Sequence, residues 1–362
     1  MRITAKPVYH AALIGCGRIG SLLEKDPLRE KPCTHAGAYY QHPRTSLVAG
    51  CDIDPERRSL FKDDWNISKV YDDPLKLLSN ENIDILSIAT EITHHDELVL
   101  MAANHHVPVI LCEKPIGLSL KKASHMIKEC EKNHSFLVIN HERRFASDYR
   151  FVKGLIESGG IGDLVSIRGN ILTGPPKAGS HYEREGGGPL VHDGTHLIDI
   201  IRFLSGSEAD WVTAELQTND SIHVEETIWA TIHLKNGVHC FIEAGGRRDY
   251  FTFDLDLQGT KGKVLIGNGF LKWYQAEASR YYTGFNDLVE KPVPSFPYQP
   301  QFINEIEAVV QYLDDGTIPE STGEDGYKAL EVIFALYQSA VTKERVSLPL
   351  SGIDETPLEA YF

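Results

Sequence analysis

Two histidines stand four residues apart in the segment GGGPLVHDGTHLID, which covers residues 186–199. An imidazole changes its charge close to neutral pH, so such a pair can transfer protons, and the same spacing on a helix suits zinc ligation. Helical zinc motifs also carry an intervening glutamate and a third ligand. His192 and His196 lack that signature, so the segment favours a catalytic pair and no metal, with an ordinary helix surface as the alternative.

The proline before the histidines favours a helix that begins at Pro189, because proline is well tolerated in the first helical turn. On such a helix His192, His196 and Asp199 lie along one stripe, with Asp193 at its edge. Asp199 can then reach back to His196 and fix its tautomer, as carboxylates do beside other catalytic histidines. The opposite stripe is apolar and is predicted to be buried: Leu190, Leu197, Ile201 and Leu204.

A glycine-rich motif, GCGRIG, follows the apolar run HAALI and precedes a helix-compatible segment. This context is typical of a dinucleotide-binding turn, in which the glycines allow the tight turn, the approach of a pyrophosphate and close packing of helix on strand. The phosphates would lie at the helix N-terminus. A glycine turn without a ligand is the alternative. The predicted cofactor-binding residues are Gly15, Gly17, Arg18, Ile19 and Gly20.

A carboxylate that binds the adenosine ribose is expected at the end of the second strand, about 20 residues after the glycine motif. That strand, SLVAGCDID, reaches Asp52, which is 32 positions after Gly20. The charged segment 24–34 contains two prolines, so it cannot continue a helix and is predicted to loop out. Asp52 accepts bonds from ribose hydroxyls and repels a 2′-phosphate, which favours NAD over NADP. Asp54 precedes Pro55 and is interpreted as a helix cap.

A lysine follows the apolar run VPVILC in the segment Glu113-Lys114-Pro115. The end of that strand is the edge of the sheet at which ligands of doubly wound folds bind. Proline restricts the preceding residue to an extended backbone and ends the strand. At this edge Lys114 can hold a substrate oxygen and stabilise the charge that develops on it. A solvated lysine at a strand end is the alternative.

The first part of the chain alternates between strand and helix patterns. Short apolar runs predict strands, and the segments between them have helical spacing. The repeated β-α-β pattern predicts a doubly wound parallel sheet over residues 1–140. The predicted strands are VYHAALIG, SLVAGCDID, IDILSIAT, VPVILCEKP and FLVIN.

Residues 141–362 have a different character, with long alternating segments joined by turn signals such as Lys235-Asn236-Gly237. This pattern predicts an α/β domain with a large, mostly antiparallel sheet that is open on one face. Two late helical segments, QFINEIEAVVQYL and EDGYKALEVIFALYQSAV, are expected to complete this domain or to pack back on the first.

The composition of the 362 residues, 42% hydrophobic and 24% charged, is typical of a soluble protein with about two domains. A formal net charge of −15 argues against a nucleic-acid surface, because phosphate binding needs clustered Lys and Arg. No signal-peptide pattern and no apolar run of roughly 18 to 20 residues is present, so a cytoplasmic location without membrane association is expected. Six scattered cysteines are interpreted as buried, reduced thiols.

Six segments together resemble the Gfo/Idh/MocA family of NAD(P)-dependent oxidoreductases in order and spacing: GCGRIG, CDID, LCEKPIGLS, NHERRF, IESGGIGDLVSIRG and GGGPLVHDGTHLID. The resemblance covers about residues 9–270. It implies an N-terminal Rossmann domain and a C-terminal domain whose open sheet forms the substrate face and often the oligomer interface. It also implies hydride transfer at a hydroxyl or carbonyl carbon of a sugar, cyclitol or related molecule. A homodimer or homotetramer through the C-terminal sheet is therefore expected.

The resemblance also implies site residues. Lys114 matches the lysine that contacts the reacting oxygen. Thr90 and His95 fall where the loop and helix after the fourth strand approach the cofactor, and Glu113 joins them as a predicted cofactor-binding residue. The chain departs from the family at Thr90-Glu91, where threonine-proline is common.

The second departure concerns the histidine segment. His196 matches the histidine that ends the family's DxGxH motif, whereas His192 replaces its aspartate. We therefore expect His196 to be the base that takes the hydroxyl proton. His192 lies closer to the helix N-terminus, where the dipole disfavours a positive charge, and is expected to bind substrate as a neutral partner.

Further side chains are predicted to contact the substrate. Arg143 and Arg144 follow the last strand of the first domain and are expected to line a cleft between the domains, with a structural salt bridge as the alternative. His181 and Tyr182 lie in the loop before the glycine run, and Asp193 lies next to the first histidine of the pair.

Three functions remain open for the sequence. The favoured one is an NAD-dependent dehydrogenase or reductase of a polyhydroxylated small molecule. The second is a glycoside hydrolase or lyase that oxidises a sugar hydroxyl transiently and then restores it. The third is a non-catalytic sensor of NAD or another ligand, against which the presence of Lys114 and His196 argues.

Overall fold

The computed structural model of the chain divides into two compact units. The described residues among 1–146 and 298–327 form the first unit, and those among 147–297 and 328–362 form the second. Along the chain the first unit is interrupted after Ala146, and the division predicted after residue 140 stays a prediction. The structure describes residues 6–219, 221–296, 301–351 and 361.

The first unit contains a six-stranded sheet whose paired strands are all parallel, in the order β3-β2-β1-β4-β5-β6. The predicted doubly wound parallel sheet is confirmed, including all five predicted strands. The sixth strand, β3, has only two residues, too few for a hydrophobic period. The strands are β1 Tyr9–Ile14, β2 Thr45–Cys51, β3 Val70–Tyr71, β4 Ile85–Ile88, β5 Val109–Cys112 and β6 Phe136–Ile139.

The helices of the first unit follow its strands along the chain. Asp54 accepts bonds from the N–H groups of Glu56 and Arg57 and caps α2, as predicted. Thr34 and Ser119 cap α1 and α5 in the same way. These helices are α1 His35–Gln41, α2 Pro55–Trp65, α3 Pro74–Asn80, α4 His95–Asn104 and α5 Leu120–Lys132.

The second unit begins with α6 (Ser147–Glu157) and contains a nine-stranded sheet in the order β14-β13-β12-β11-β7-β10-β9-β8-β15. All of its paired strands are antiparallel except β7 and β10, so the predicted mostly antiparallel sheet is confirmed. Its strands are β7 Leu164–Leu172, β8 Ala209–Asn219, β9 Val224–Leu234, β10 His239–Gly245, β11 Thr252–Gly259, β12 Gly262–Gly267, β13 Phe270–Ala278, β14 Asn286–Lys291 and β15 Val346–Ser347.

Side chains alternate across this sheet, with one face buried and the other open. On β9, Ile228 and Ile232 are buried, whereas Trp229 between them is 45% exposed. On β10, Cys240 and Ile242 are buried. The helices α7 (His181–Glu185) and α8 (Thr195–Ser205) lie between β7 and β8 in the chain.

The chain returns to the first unit with α9 (Gln301–Asp315). Phe302, Ile306 and Val309 of this helix are buried in the same hydrophobic core as Leu13 and Ile85. The sequence left the location of this helix open, because helical spacing does not identify the core that it joins. The next helix, α10 (Gly323–Thr342), contains the boundary between the units, after Tyr327.

None of the helices that the structure describes is both long enough and apolar enough to cross a membrane.

Candidate active site

The glycine motif forms a tight turn directly after β1. Gly15 has φ +93°, and a Cβ atom there would lie 2.4 Å from the carbonyl oxygen of Ala89. Glycine is therefore required at this position. Gly17 faces a more open space, since its nearest neighbour, Nη1 of Arg57, would be 3.5 Å from an added Cβ. The turn has the shape that lets a backbone approach a pyrophosphate.

The helix that follows this turn is interrupted. The chain makes one helical turn after Gly17 and continues as a 3-10 helix over Leu22–Lys25. α1 begins only at His35, whose N–H donates to the carbonyl of Ile19 at 3.2 Å. This bond joins α1 to the broken turn, so segment 24–34 loops out as predicted.

Asp52 follows β2 and is 6% exposed. Its Oδ2 accepts the N–H of Cys16 at 2.9 Å, and its Oδ1 accepts the N–H of Asp54 at 2.9 Å. The carboxylate is thereby tied to the glycine turn, with lone pairs left for ribose hydroxyls. Arg57 Nη1 lies 3.9 Å from Oδ2, a cation that the sequence interpretation overlooked. The turn and this carboxylate together fit an adenine dinucleotide.

Glu113 lies at the end of β5, inside a buried hydrogen-bond network. Its Oε1 accepts bonds from His35 Nε2 at 2.9 Å and from Asn140 Nδ2 at 2.6 Å, and its Oε2 accepts the N–H of Lys114 at 3.2 Å. Burial raises the pKa of Glu113, but His35, Lys114 and Asn140 outweigh it, so the pKa is lowered. The network continues from His35 Nδ1 to the hydroxyl of Ser87 at 2.9 Å.

This network anchors the backbone from which the Lys114 side chain, itself partly buried, projects. The sequence interpretation missed His35 and Asn140, which are 78 and 27 residues from Glu113 along the chain. The predicted contact of Glu113 with the cofactor stays a prediction.

His95 is the first residue of α4 and is 1% exposed. Its Nδ1 lies 3.0 Å from the carbonyl of Pro115, and its Nε2 lies 3.3 Å from the carbonyl of Thr90. The ring thus links the loops after β4 and β5. Burial lowers its pKa, which favours a neutral ring. The side chain of Thr90 itself is partly exposed.

The two arginines after β6 differ in their surroundings. Arg144 is 5% exposed, and its Nη1 donates to the carbonyl of Glu320 at 2.5 Å and lies 3.0 Å from Oδ1 of Asp325. This is the structural salt bridge that the sequence left as the alternative. Arg143 is partly exposed. Burial raises the pKa of the neighbouring Glu142, and the charge of Arg143 offsets only part of that shift.

A helix begins at Pro189, as predicted, but it departs from the predicted α-helical geometry in the next five residues. Leu190–Gly194 form a π-helical turn that leads into α8. π-helical bonds join residues five apart, whereas α-helical bonds join residues four apart, and the common stripe of His192, His196 and Asp199 stays a prediction. His192 is 7% exposed, whereas His196 is more accessible. The predicted apolar stripe is confirmed, since all of its members are buried: Leu190, Leu197, Ile201 and Leu204.

Asp199 is 1% exposed and lies 3.5 Å from Arg202 Nη1. Arg202 also makes a bidentate pair with Glu208, with both N–O distances 2.7 Å. Asp199 is therefore part of a buried ionic group. Its predicted action on the tautomer of His196 stays a prediction.

The π-helical turn brings four predicted site residues together. The ring centroid of His192 lies 4.9 Å from that of His181 and 5.2 Å from that of Tyr182. The hydroxyl of Tyr182 donates to Oδ2 of Asp193 at 3.0 Å. Two imidazoles, a phenol and a carboxylate thus form one cluster of hydrogen-bonding groups, which we call the histidine cluster (His181, Tyr182, His192 and Asp193).

The hydrogen bond of His192 defines its tautomer. Its Nε2 lies 3.0 Å from the carbonyl oxygen of Gly186, which can only accept, so Nε2 carries the proton. In the neutral ring Nδ1 then bears the lone pair. Among the described residues, no group of three or more His, Cys, Asp or Glu side chains is arranged to hold a metal ion.

Comparisons with known proteins agree with this architecture. Residues 9–141 match the family model described as an oxidoreductase family, NAD-binding Rossmann fold, and residues 153–348 match its C-terminal alpha/beta domain. D-apiose dehydrogenase of Rhizobium rhizogenes is 27% identical over 93% of this chain and 96% of its own length. Myo-inositol 2-dehydrogenase of Thermotoga maritima is 26% identical over 93% and 97%, respectively.

The crystal structure of myo-inositol 2-dehydrogenase from Lactobacillus plantarum is similar to this structure, with a TM-score of 0.76 and 26% identity over 94% of this chain and 99% of that one. The family models cover both halves of the chain, including the glycine turn, Lys114 and the histidine cluster. The chain is an NAD-binding oxidoreductase and belongs to the Gfo/Idh/MocA family.

Proposed function

We propose that this enzyme transfers a hydride between NAD and a hydroxyl or carbonyl carbon of a sugar, cyclitol or related polyhydroxylated molecule. The observation that carries the proposal is the histidine cluster, which offers several hydrogen-bonding groups of different kinds, as a ligand with several hydroxyls requires. The relatives named for D-apiose and myo-inositol support the same substrate class.

Bound NAD supplies the two-electron acceptor, and the side chains supply the proton transfer and charge stabilisation. Lys114 holds the reacting oxygen and stabilises negative charge on it. His196 takes the hydroxyl proton as general base. The Nε2–H of His192 donates a hydrogen bond to the carbonyl of Gly186, so Nδ1 is the ring nitrogen that accepts a hydrogen bond from a second substrate hydroxyl. Arg143, His181, Tyr182 and Asp193 are proposed to complete the substrate contacts.

The adenosine half of the cofactor is proposed to bind between the glycine turn and Asp52, and the nicotinamide half to contact Thr90 and the loop of Glu113. His95 is proposed to contribute by holding the two loops that flank the nicotinamide, because its ring nitrogens lie 3.0 and 3.3 Å from a carbonyl of each loop and the single N–H of the neutral ring donates to one of them. Arg18 and Ile19 offer backbone N–H groups at the start of the interrupted helix.

Absorbance at the NADH band tests this function. The enzyme is incubated with NAD and a panel of inositols, pentoses, hexoses and glycosides. Net NADH formation with one class supports the dehydrogenase. Release of an aglycone or loss of water without net NADH supports the alternative, a hydrolase or lyase that uses transient oxidation.

We also propose that the enzyme is a homodimer or homotetramer that assembles through the open face of the C-terminal sheet. On this face Trp229 and Phe241 lie on the paired strands β9 and β10 and are 45% and 48% exposed, so they form an apolar patch of the kind that marks protein interfaces. Sedimentation at micromolar concentration should give a dimer or tetramer, and a Phe241→Arg variant should shift it toward monomer. A monomeric wild-type protein would overturn this proposal.

A cytoplasmic location is proposed from the thiols. All six cysteines are free, and five of them are buried. Such unpaired thiols are typical of a reducing compartment.

A further inference from the structure

A buried glutamate from the sheet of the second unit lies at the start of the histidine segment. Glu225, the second residue of β9, is 0% exposed. Its Oε2 accepts the N–H of Gly188 at 2.7 Å, and its Oε1 accepts the N–H of Leu190 at 2.8 Å. Both oxygens therefore bind N–H groups at the N-terminal end of the π-helical turn, where helices leave such groups without internal partners.

Gly188 shows how tight this contact is. A Cβ atom at this position would lie 2.1 Å from the carbonyl oxygen of Glu225 and 2.6 Å from its Oε2. A side chain at residue 188 would displace the carboxylate or the strand. The last glycine of the run GGGP is therefore explained by the approach of Glu225 and not by the histidines that follow it.

His192 makes two hydrogen bonds to the glycine run that precedes it. Its N–H donates to the carbonyl of Gly188 at 3.3 Å, and its Nε2–H donates to the carbonyl of Gly186 at 3.0 Å. The backbone of His192 is thus bonded to Gly188, which Glu225 holds directly, and its ring is bonded to Gly186, two residues earlier in the same glycine run.

We propose that Glu225 is a positioning residue for substrate recognition: its carboxylate holds the glycine run so that His192 keeps the orientation in which Nδ1 faces the substrate. This inference rests on the proposed function, in which His192 binds a substrate hydroxyl. Glu225 itself is proposed to touch neither substrate nor cofactor. It acts only through the segment 186–192.

The charge of Glu225 should make its positioning role depend on pH. Burial raises its pKa to about 7, although the N–H groups of Leu190 and Gly188 and the Tyr337 hydroxyl from α10 act in the opposite direction. Burial raises the pKa values of Tyr337 and Tyr182, and Glu225 acts in the same direction on both, so neither ionises near neutral pH. The histidine cluster adds His181, His192 and Asp193 to the titratable groups of this region. Protonation places a hydrogen on one carboxyl oxygen, where it competes with a backbone N–H.

Hydrogen exchange tests the positioning without depending on activity. Glu225→Gln keeps the shape of the side chain but replaces one accepting oxygen by an NH2 group. One of the two backbone N–H groups then loses its hydrogen-bond acceptor. Exchange in segment 186–194 should become at least about tenfold faster in this variant. Glu226→Gln is the matched control, because the neighbouring carboxylate pairs with Arg247. Unchanged exchange in Glu225→Gln would overturn the proposal.

A double-mutant cycle tests whether Glu225 acts through His192. Glu225→Gln should lower kcat/KM by roughly 10- to 100-fold, mainly by raising KM, as small misplacements of a binding group do. In a His192→Asn background the same change should cost less than threefold. An equal loss in both backgrounds would overturn the action through His192. If His192→Asn alone leaves kinetics unchanged, the proposed role of His192 fails, and the exchange result decides the positioning separately.

The pH dependence supplies a readout that a purely structural role would not change. The ratio of kcat/KM between wild type and Glu225→Gln should fall toward one below pH 7, because the wild-type carboxyl is then protonated as well. Protonation of the general base, His196, lowers the activity of both proteins equally and therefore cancels in this ratio. A constant ratio from pH 5.5 to 8.5 would contradict the role of the carboxylate. If Glu225→Gln does not fold, Tyr337→Phe serves as the milder variant, with the same exchange and kinetic outcomes expected in weaker form.

Discussion

Nη1 of Arg57 lies 3.9 Å from Oδ2 of Asp52, beside the carboxylate that is proposed to bind the adenosine ribose. The carboxylate repels a 2′-phosphate, whereas the half-exposed guanidinium would attract one. Asp52 is buried and fixed by two N–H groups, so we expect it to dominate. The wild-type enzyme should prefer NAD over NADP by at least about tenfold, or about 1.4 kcal/mol. Titration calorimetry with both cofactors measures this, and equal affinities would contradict it.

A pair of variants separates the two side chains. Asp52→Ser removes the negative charge and should improve NADP binding by about tenfold, because Arg57 then meets a 2′-phosphate without competition. Adding Arg57→Ala should abolish that gain. If Asp52→Ser alone leaves NADP binding unchanged, Arg57 does not reach the phosphate.

Lys114 is predicted to stabilise charge on the reacting oxygen. Lys114→Ala should lower kcat and kcat/KM by roughly 100-fold or more, as the loss of an electrostatic stabiliser does. NAD affinity should fall little, since the glycine turn and Asp52 remain. Lys122→Ala is a suitable control, because this lysine pairs with Asp96 at the surface. Turnover within threefold of wild type in Lys114→Ala would show that the lysine is structural.

The two histidines are predicted to have different effects on the pH profile. A base must be unprotonated, so activity falls as the pH drops below the pKa of the base. His196→Ala should remove this acidic limb of kcat/KM together with most activity, whereas His192→Asn should mainly raise KM. If His192→Asn removes the limb and His196→Asn retains it, the roles are reversed.

A buried glutamate on α9 is expected to make stability depend on pH. Glu305 is 0% exposed, and its carboxyl oxygens have no hydrogen-bond partner among the described residues. Burial, with Glu113 and Glu142 nearby, raises its pKa well above the usual value. The folded state therefore binds a proton that the unfolded state loses above about pH 4.5, and the free energy of unfolding falls as pH rises from there toward the folded pKa.

Glu305→Gln should remove this component. The decline in unfolding free energy between pH 5 and 8 should be shallower than in wild type, by about 1.4 kcal/mol for each pH unit over which the folded carboxyl stays protonated. Denaturant titrations at these two pH values measure it. The exposed Glu131→Gln serves as the control. Parallel pH dependences of wild type and Glu305→Gln would show that Glu305 ionises normally in the folded protein.

Much of the fold could be predicted because apolar residues recur along its strands and helices with a clear period. The alternation of apolar strands and helical segments predicted the parallel sheet, and the turn signals predicted the antiparallel one. Two features were not predictable in this way. The two-residue strand β3 is too short to show a pattern, and the burial of α9 in the first unit depends on contacts such as that of Phe302 with a distant core.

The site was predictable where a motif has a local physical reason. The glycine turn and Asp52 follow from backbone geometry and strand order, and both are arranged as a dinucleotide requires. The π-helical turn was not predictable, because a 3.6-residue pattern does not reveal an i→i+5 bond. His35, Asn140 and Glu225 were missed for another reason: each reaches its partner across 27 or more residues of chain, where spacing carries no signal.

Net hydride transfer is the central claim, and isotope transfer measures it most directly. A substrate that gives activity in the panel is deuterated at the carbon that bears the reacting hydroxyl and incubated with wild-type enzyme and NAD. Mass spectrometry of the cofactor and the product should then find one deuterium in NADH and a carbonyl in the product. Deuterium that stays in or returns to the product, with bond cleavage and no labelled NADH accumulating, would contradict the account.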